Sequence, residues 1–196
     1  MFLDFDLNVA KALNAFLNNT NGAFTKLFKL ITSLGDKGWF FLLVTLALCL
    51  FKKTRKKGFH LIFAIGFSIV AMYLIKNIVR RPRPFIDETS EYYKFWVEAG
   101  KLEVSSYSFP SGHSTISMAF AVSLFLTCNK KYSYVFFIFP LLIGLTRIYF
   151  NVHFFSDVIG GFFVAILFSI ISYFVFEYVY NNYYLKKINN KNEDRI

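Results

Sequence analysis

Long apolar runs dominate this 196-residue chain and constrain its fold more than any other feature. Hydrophobic residues make up 56% of the sequence and charged residues only 17%, and Phe alone fills 27 positions. A water-soluble core of this size cannot enclose so many large apolar side chains in unbroken runs, whereas bilayer hydrocarbon accepts them. The pattern therefore predicts an all-α, polytopic membrane protein with a single domain over residues 1–196.

Several stretches are candidates for membrane helices, which need about 20 residues to cross the hydrocarbon. The clear ones are residues 38–51, 59–79, 114–127, 132–150 and 154–180, of which the first is short and the last is long enough to tilt or project. Residues 2–34 also carry apolar side chains at helical spacing, but Asn18, Asn19, Asn21 and Gly22 interrupt them. That segment fits either a span or a helix lying at the interface.

Basic residues lie mainly in clusters between the apolar runs, which is a topology signal. The strongest cluster is Lys52 to Lys57, and we expect this loop to be cytoplasmic. Counting onward puts residues 82–110 and 151–153 outside and residues 129–131 and the basic tail inside. The formal net charge of +10 is therefore no sign of nucleic-acid binding. We expect a multi-pass protein of the cell (plasma) membrane with a retained N-terminus and, with Cys49 and Cys128 on the cytoplasmic side, no disulfide.

The residues suited to chemistry collect at the outer ends of these spans. His153 and Asp157 are four residues apart, so on a helix the carboxylate would hold one ring nitrogen and leave the other free to attack. His113 follows Ser111 and Gly112 just before an apolar run, where a helix N-terminus would offer backbone N–H groups to an anion. Basic residues are usually found on the cytoplasmic side of membrane helices, so basic residues on the outer side indicate an anionic ligand. Those predicted here are Lys76, Arg80, Arg81, Arg83 and Arg147.

At these positions the chain strongly resembles the type 2 phosphatidic acid phosphatase superfamily, the membrane lipid phosphate phosphatases. Three signature motifs are matched in order between residues 76 and 157. They read KNIVRRPRP from Lys76 to Pro84, PSGH from Pro110 to His113, and TRIYFNVHFFSD from Thr146 to Asp157. The one departure is Thr146 for the usual Ser, which keeps a hydroxyl. Three motifs with correct spacing are far more specific than any one of them.

The resemblance implies a bundle of about six transmembrane helices and a role for each motif residue. Lys76, Arg83 and Arg147 would grip the phosphate, with Ser111 and the Gly112 N–H completing its cradle. His153 would attack phosphorus, His113 would protonate the departing oxygen, and Asp157 would orient His153. Water would then hydrolyse the phosphohistidine. No metal and no cofactor is implied.

Three classes of function compete for this pattern. A membrane lipid phosphatase uses every motif residue; a vanadate-dependent haloperoxidase shares the anion site but is soluble; a phospholipid transporter needs no His–Asp pair. Within the first class, the chain resembles bacterial enzymes that hydrolyse undecaprenyl diphosphate to undecaprenyl phosphate, the carrier lipid of cell-wall synthesis. Phosphatidylglycerophosphate, phosphatidic acid and lipid A phosphatases share the same motifs, so those substrates stay open.

Other residues have competing interpretations. Arg80 and Arg81 miss the motif spacing and fit interfacial snorkelling, although Arg81 also fits a substrate contact. His60, beside the basic loop, fits a structural role. The outer-loop aromatics fit either a lid over the lipid entrance or an ordinary membrane belt; they are Tyr92, Tyr93, Phe95 and Trp96.

Overall fold

The computed structural model of the protein describes residues 2–185. Every regular element in that range is helical, which confirms the all-α class. The α-helices, numbered in chain order, are α1 (Phe2–Asn19), α2 (Thr25–Ser33), α3 (Trp39–Leu50), α4 (Arg55–Val79), α5 (Glu91–Glu98), α6 (Gly112–Thr127), α7 (Lys130–Ser133), α8 (Ile138–Tyr149) and α9 (Phe155–Val179). Short 3-10 helices occupy Asp36–Gly38, Pro84–Ile86 and Tyr134–Phe137, and a π-helical turn over Tyr180–Leu185 extends α9.

Three helical segments are long and apolar enough to cross a membrane: Arg55–Ile86, Lys130–Tyr149 and Phe155–Tyr183. A fourth is counted if Thr25–Ser33 and Asp36–Leu50, which meet at a bend of 41°, form one broken span. The expected six spans are therefore not confirmed within residues 2–185. The physical reasons are that α6 has only 16 residues and that α1 carries Asp4, Asp6 and Lys11. The basic tail, residues 186–196, lies outside the described residues, so its predicted cytoplasmic side stays a prediction.

The centre of the bundle is α6, which packs against α4, α8 and α9. Its small side chains let those neighbours approach closely; they are Ser114, Thr115, Ser117, Ala119, Ala121 and Ser123. Gly161 of α9 shows how tight the contact is, since a Cβ there would lie 2.8 Å from the carbonyl oxygen of Ser111. This approach sets the start of α6 directly beside the start of α9.

Large apolar side chains cover the outside of the longer helices. Leu43 on α3, Ile78 on α4, Leu141 on α8 and Phe163 on α9 are all exposed outward rather than packed into the core. A water-soluble protein rarely presents so much continuous apolar surface, whereas lipid tails cover it without cost. The helices are those of an integral membrane protein.

Helix ends from four parts of the chain meet at one end of the bundle. α4 ends at Val79 because Arg80 adopts a left-handed conformation with φ 49° and Pro82 and Pro84 follow. The last turn of α8 and the first turns of α6 and α9 lie at the same end. The short helix α5 packs beside this end against α1, and the ring of Trp96 stacks on that of Phe85 with centroids 4.7 Å apart.

Candidate active site

A cavity of about 540 Å³ opens at this end of the bundle. Six of the eight residues that the sequence predicts for the site line it: Lys76, Arg83, Gly112, His113, Arg147 and His153. The other two are buried next to it, Asp157 behind His153 and Ser111 before Gly112. Three further charged residues face the same cavity: Asp36, Lys37 and Glu103. Segments that are distant in sequence thus form one cation-rich pocket.

The His153–Asp157 pair is present, but its geometry differs from the one that the sequence predicts. His153 Nδ1 lies 3.3 Å from Asp157 Oδ2. His153 is not helical, however, because α9 begins only at Phe155. The carboxylate instead caps this helix, accepting a hydrogen bond of 2.9 Å from the backbone N–H of Phe154. His153 and Asp157 are therefore in contact because Asp157 caps the N-terminus of α9, and not because the two residues share one face of a helix.

The tautomer of His153 follows from its second neighbour. Arg83 Nη1 lies 3.2 Å from His153 Nε2, and a guanidinium can only donate, so Nε2 carries the lone pair. The proton is then on Nδ1, where it points to Asp157. Burial lowers the pKa of His153 to about 3, with Arg83 and Arg147 acting in the same direction against the hydrogen bond to Asp157. The ring is therefore neutral at physiological pH, and its lone pair is on the cavity side.

Backbone carbonyl groups hold Arg83 rigidly. Its Nε donates to the Ser106 carbonyl at 3.0 Å and its Nη2 to the Ser105 carbonyl at 2.9 Å. Nη1 donates to the Val152 carbonyl at 2.7 Å as well as facing His153. Neutral carbonyl partners leave the positive charge of the guanidinium uncompensated, so the cavity attracts an anion.

Lys76 and Arg147 supply two further buried cations. Lys76 Nζ donates to the Tyr107 carbonyl at 2.6 Å. Arg147 Nη1 donates to Thr32 Oγ1 at 2.7 Å, and its Nε is buried with no partner among residues 2–185. Buried polar atoms are nearly always hydrogen-bonded, so the unpaired Nε indicates a position for an acceptor oxygen.

Ser111 and Gly112 occupy the predicted helix start with different roles. Ser111 is the N-cap of α6: its Oγ accepts hydrogen bonds from Ser114 Oγ at 2.9 Å and from the Ser114 N–H at 3.4 Å. The Ser111 side chain is fully buried and does not line the cavity, whereas Gly112 does. The N-terminus of α6 therefore faces the cavity as expected, and the phosphate contact predicted for Ser111 stays a prediction.

His113 has an acidic partner that the sequence analysis missed. Its Nε2 lies 2.9 Å from Oδ1 of Asp36, in the turn between α2 and α3. Gly35 makes this approach possible, because a Cβ at that position would lie 2.5 Å from His113 Cδ2. The sequence around Asp36, LGDKG, signals a turn between apolar runs but contains nothing that pairs it with a residue 77 positions away.

Arg81 neither reaches outward to the interface nor lines the cavity. Its Nη1 donates to Asp157 Oδ1 at 2.7 Å, and its Nη2 donates to Asp6 Oδ2 at 3.1 Å. Asp6 is buried and also accepts hydrogen bonds from the N–H and hydroxyl of Ser156, at 2.8 and 2.6 Å. Ser108 Oγ donates to the other oxygen of Asp157, Oδ2. A buried network thus surrounds the carboxylate that holds His153.

Other predicted residues lie apart from the cavity. Arg80 is exposed and donates from Nε to the Asn77 carbonyl at 2.9 Å. His60 is buried at the opposite end of α4 beside Glu177, with 2.9 Å between Nε2 and Oε1. Among residues 2–185 no three His, Cys, Asp or Glu side chains are grouped as metal ligands. Besides the carboxylates of Asp36 and Glu103, the cavity offers cationic side chains, backbone N–H groups and histidines to a ligand, and these suit a phosphoryl group.

The family model of the PAP2 superfamily matches residues 57–181 of this sequence. The chain belongs to the PAP2 superfamily. This membership confirms the resemblance to type 2 phosphatidic acid phosphatases drawn from the three motifs.

Two curated relatives and one solved structure show where in the superfamily the similarity lies. The undecaprenyl-diphosphatase of Sulfolobus acidocaldarius is 33% identical over 129 residues, 66% of this chain and 60% of that protein. The lipid A 1-phosphatase of Rhizobium johnstonii is 31% identical over 166 residues, 76% of this chain and 66% of that protein. The crystal structure of Aquifex aeolicus LpxE matches with a TM-score of 0.69 and 28% identity, covering 85% of this chain and 93% of that one. The chain thus spans less than two thirds of the length of either curated relative.

Proposed function

We propose that this PAP2 superfamily member is an integral membrane lipid phosphatase that works through a phosphohistidine on His153. The observation that carries the proposal is the position of His153, whose Nε2 lies 3.2 Å from Arg83 Nη1 in a pocket rich in cations. A phosphoryl group placed there would have its oxygens within reach of three cations and its phosphorus facing the nucleophile. The motif-bearing chain would form one catalytic domain.

The reaction proceeds in two steps, phosphoryl transfer to His153 and hydrolysis of the phosphohistidine. His153 Nε2 attacks the terminal phosphorus and an N–P bond forms. The bond from that phosphorus to the oxygen of the leaving lipid phosphate breaks, and His113 gives a proton to the leaving oxygen. The Nδ1 proton stays hydrogen-bonded to Asp157, which stabilises the positively charged phosphohistidine. Water then gives a proton to His113 and attacks phosphorus. The N–P bond breaks, and inorganic phosphate leaves with His153 restored.

Charge neutralisation would come from the protein itself. Lys76, Arg83 and Arg147 surround the phosphoryl oxygens, and the buried Nε of Arg147 donates to one of them. Gly112 lets the N-terminus of α6 approach the same oxygens. With these donors in place, the proposed reaction needs no metal ion.

Two carboxylates, Asp157 of the third motif and Asp36 outside the motifs, would position the two histidines. Arg81, Ser108 and the Phe154 N–H fix Asp157, which in turn orients His153. Asp36 would orient His113 and favour its protonated form, since an ionised carboxylate stabilises an imidazolium. Both are positioning roles, because neither carboxylate faces the phosphorus directly.

The substrate that we propose is undecaprenyl diphosphate, presented in the outer leaflet of the plasma membrane. Two observations support it: the relative named undecaprenyl-diphosphatase, and the basic loop at the end of the bundle opposite the cavity, which favours an outward-facing site. A lipid A 1-phosphate is the second candidate, supported by the similarity to LpxE and to a lipid A 1-phosphatase. Either lipid could keep its tails in hydrocarbon while its phosphate enters the cavity.

The test is phosphate release by the purified protein in detergent. Undecaprenyl diphosphate, lipid A, phosphatidylglycerophosphate and phosphatidic acid are supplied in matched mixed micelles, with His153→Ala as the control for contaminating phosphatases. We expect the highest kcat/KM with undecaprenyl diphosphate. A higher kcat/KM for another lipid would make that lipid the substrate instead. No phosphate release from any of the four lipids would overturn the proposed phosphatase activity.

A further inference from the structure

A second and larger cavity, of about 720 Å³, lies at the opposite end of the bundle. It is formed between the first turns of α4 and the last turns of α9. The residues that line it are Lys52, Arg55, Lys56, Phe59, Phe63, Phe176, Val179, Tyr180 and Tyr183. Along α4, Arg55 lies about 30 Å from Lys76 at the helical rise per residue. The cavity is therefore separate from the candidate active site and plays no part in the proposed reaction.

The charged groups around this cavity leave a net positive rim. Lys56 is neutralised, because its Nζ donates to Glu177 Oε2 at 2.9 Å. Glu177 also faces His60 and is fully occupied by these two partners. Arg55 uses only its Nε, which donates to the Cys49 carbonyl at 3.1 Å. The terminal guanidinium nitrogens of Arg55 and the ammonium of Lys52 have no partner among the residues that the structure describes.

The remaining walls are apolar and continue along the two helices away from the basic rim. Phe63 and Phe176 meet edge to face with ring centroids 5.3 Å apart, and Phe59 and Val179 are exposed beside them. A ligand that fits both parts must carry an anionic head next to an apolar chain. An inorganic anion would leave the aromatic wall uncovered, and an uncharged lipid would leave the cations unpaired.

We propose that this cavity binds one anionic phospholipid in the leaflet opposite the active site. Its phosphate accepts hydrogen bonds from Arg55 and Lys52, and one acyl chain lies against Phe59, Phe63 and Val179. Guanidinium and ammonium groups at membrane-helix ends are typical partners of lipid phosphates. The chain's own tail is a poor occupant, since residues 186–196 carry four basic side chains against two acidic ones and would bring net like charge to the rim. This proposal does not rest on the proposed function.

The test compares lipid binding by the full-length protein and two matched double variants. Lys52→Gln/Arg55→Gln removes the two free cations of the rim. Lys53→Gln/Lys57→Gln removes the same charge from the same loop at residues that do not line the cavity. Each purified protein is titrated in detergent with dioleoyl-phosphatidylglycerol or dioleoyl-phosphatidylcholine, and bound lipid is counted by native mass spectrometry.

We expect one phosphatidylglycerol to bind in preference to phosphatidylcholine. The rim variant should lose about 25-fold in affinity, at about fivefold for each cation, and the control variant less than about threefold. Equal losses of affinity in both variants would indicate diffuse surface charge and would overturn the site. The site would also be overturned if the rim variant lost no affinity, or if the wild-type protein bound phosphatidylcholine as well as phosphatidylglycerol. Phosphate release should be unchanged in both variants. If the wild-type protein releases none, the proposed function fails while the binding result stands.

Discussion

Arg81 Nη1 donates to Asp157 Oδ1 at 2.7 Å, so the carboxylate that holds His153 is itself held from behind. Its other oxygen, Oδ2, faces His153, Ser108 and the Phe154 N–H. With both oxygens occupied, Asp157 cannot rotate away from the histidine. Through the second nitrogen of Arg81, Asp6 in α1 joins this network, so an N-terminal helix that carries no motif residue supports the candidate catalytic pair.

Arg81→Met should lower kcat about 10- to 100-fold and leave KM nearly unchanged, because it frees Asp157 without touching the substrate. It should also lower the free energy of unfolding by about 3 to 5 kcal/mol, since two buried carboxylates lose their cation. Steady-state kinetics and thermal unfolding in detergent measure the two effects. Arg80→Met is the matched control and should change neither.

A double variant separates positioning from simple loss of folding. Asp6→Asn combined with Arg81→Met removes one of the two unpaired carboxylates, so stability should recover in part while kcat stays low. If Arg81→Met instead raises KM with kcat unchanged, then Arg81 binds the substrate and the positioning role is wrong.

His153→Ala should abolish turnover, with kcat at least about a thousandfold lower, while the protein remains folded and inserted. Asp157→Asn should retain more activity, because it misorients the ring without removing the nucleophile. Rapid-quench capture of acid-labile, base-stable phosphoprotein from a labelled substrate provides the direct measurement. Wild-type activity in His153→Ala would exclude the phosphohistidine mechanism.

Activity should persist in excess EDTA, because Lys76, Arg83 and Arg147 would neutralise the phosphoryl oxygens, whereas other phosphatases use metal ions for this purpose. Vanadate should inhibit competitively as a phosphate mimic. Phosphate release is measured with and without chelator, with a magnesium-dependent phosphatase assayed alongside as the control. Loss of activity on chelation and its recovery with magnesium would contradict the proposed role of the three cations.

Asp36→Asn should move the alkaline limb of the pH–rate profile to lower pH. Burial lowers the pKa of His113, and the hydrogen bond with Asp36 opposes that shift. Removing the carboxylate therefore lets the proton leave at lower pH, and the exposure of Asp36 keeps the effect modest. Asp36→Glu should restore part of the shift. A uniform fall in rate with an unchanged profile would mean that Asp36 only stabilises the fold.

The side of the membrane on which the cavity opens can be tested by cysteine labelling in intact cells, after Cys49 and Cys128 are replaced by Ala. Glu88 lies exposed in the loop at the active-site end, and Lys53 lies exposed in the basic loop at the other end. A Cys at position 88 should react with a membrane-impermeant maleimide, and one at position 53 should react only after permeabilisation. The reverse pattern would place the cavity on the cytoplasmic side and remove the case for carrier-lipid recycling.

The sequence by itself determined the features that local spacing and composition encode. Apolar runs predicted the all-α membrane class and most helix positions, because lipid exposure requires continuous apolar segments. The motif spacing predicted eight site residues at one end of the bundle, and six of those eight line one cavity. It also predicted the His153–Asp157 pair, although a helix cap rather than a helix face joins them.

Only the tertiary structure decided how those residues are held. Asp36 contacts His113 across 77 positions, Asp6 contacts Arg81 across 75, and Ser108 contacts Asp157 across 49. No local period or spacing rule links residues so far apart, because their proximity depends on how the helices pack. That packing depends in turn on small residues such as Gly161 and Gly35, whose missing Cβ atoms let α9 approach α6 and let Asp36 reach His113.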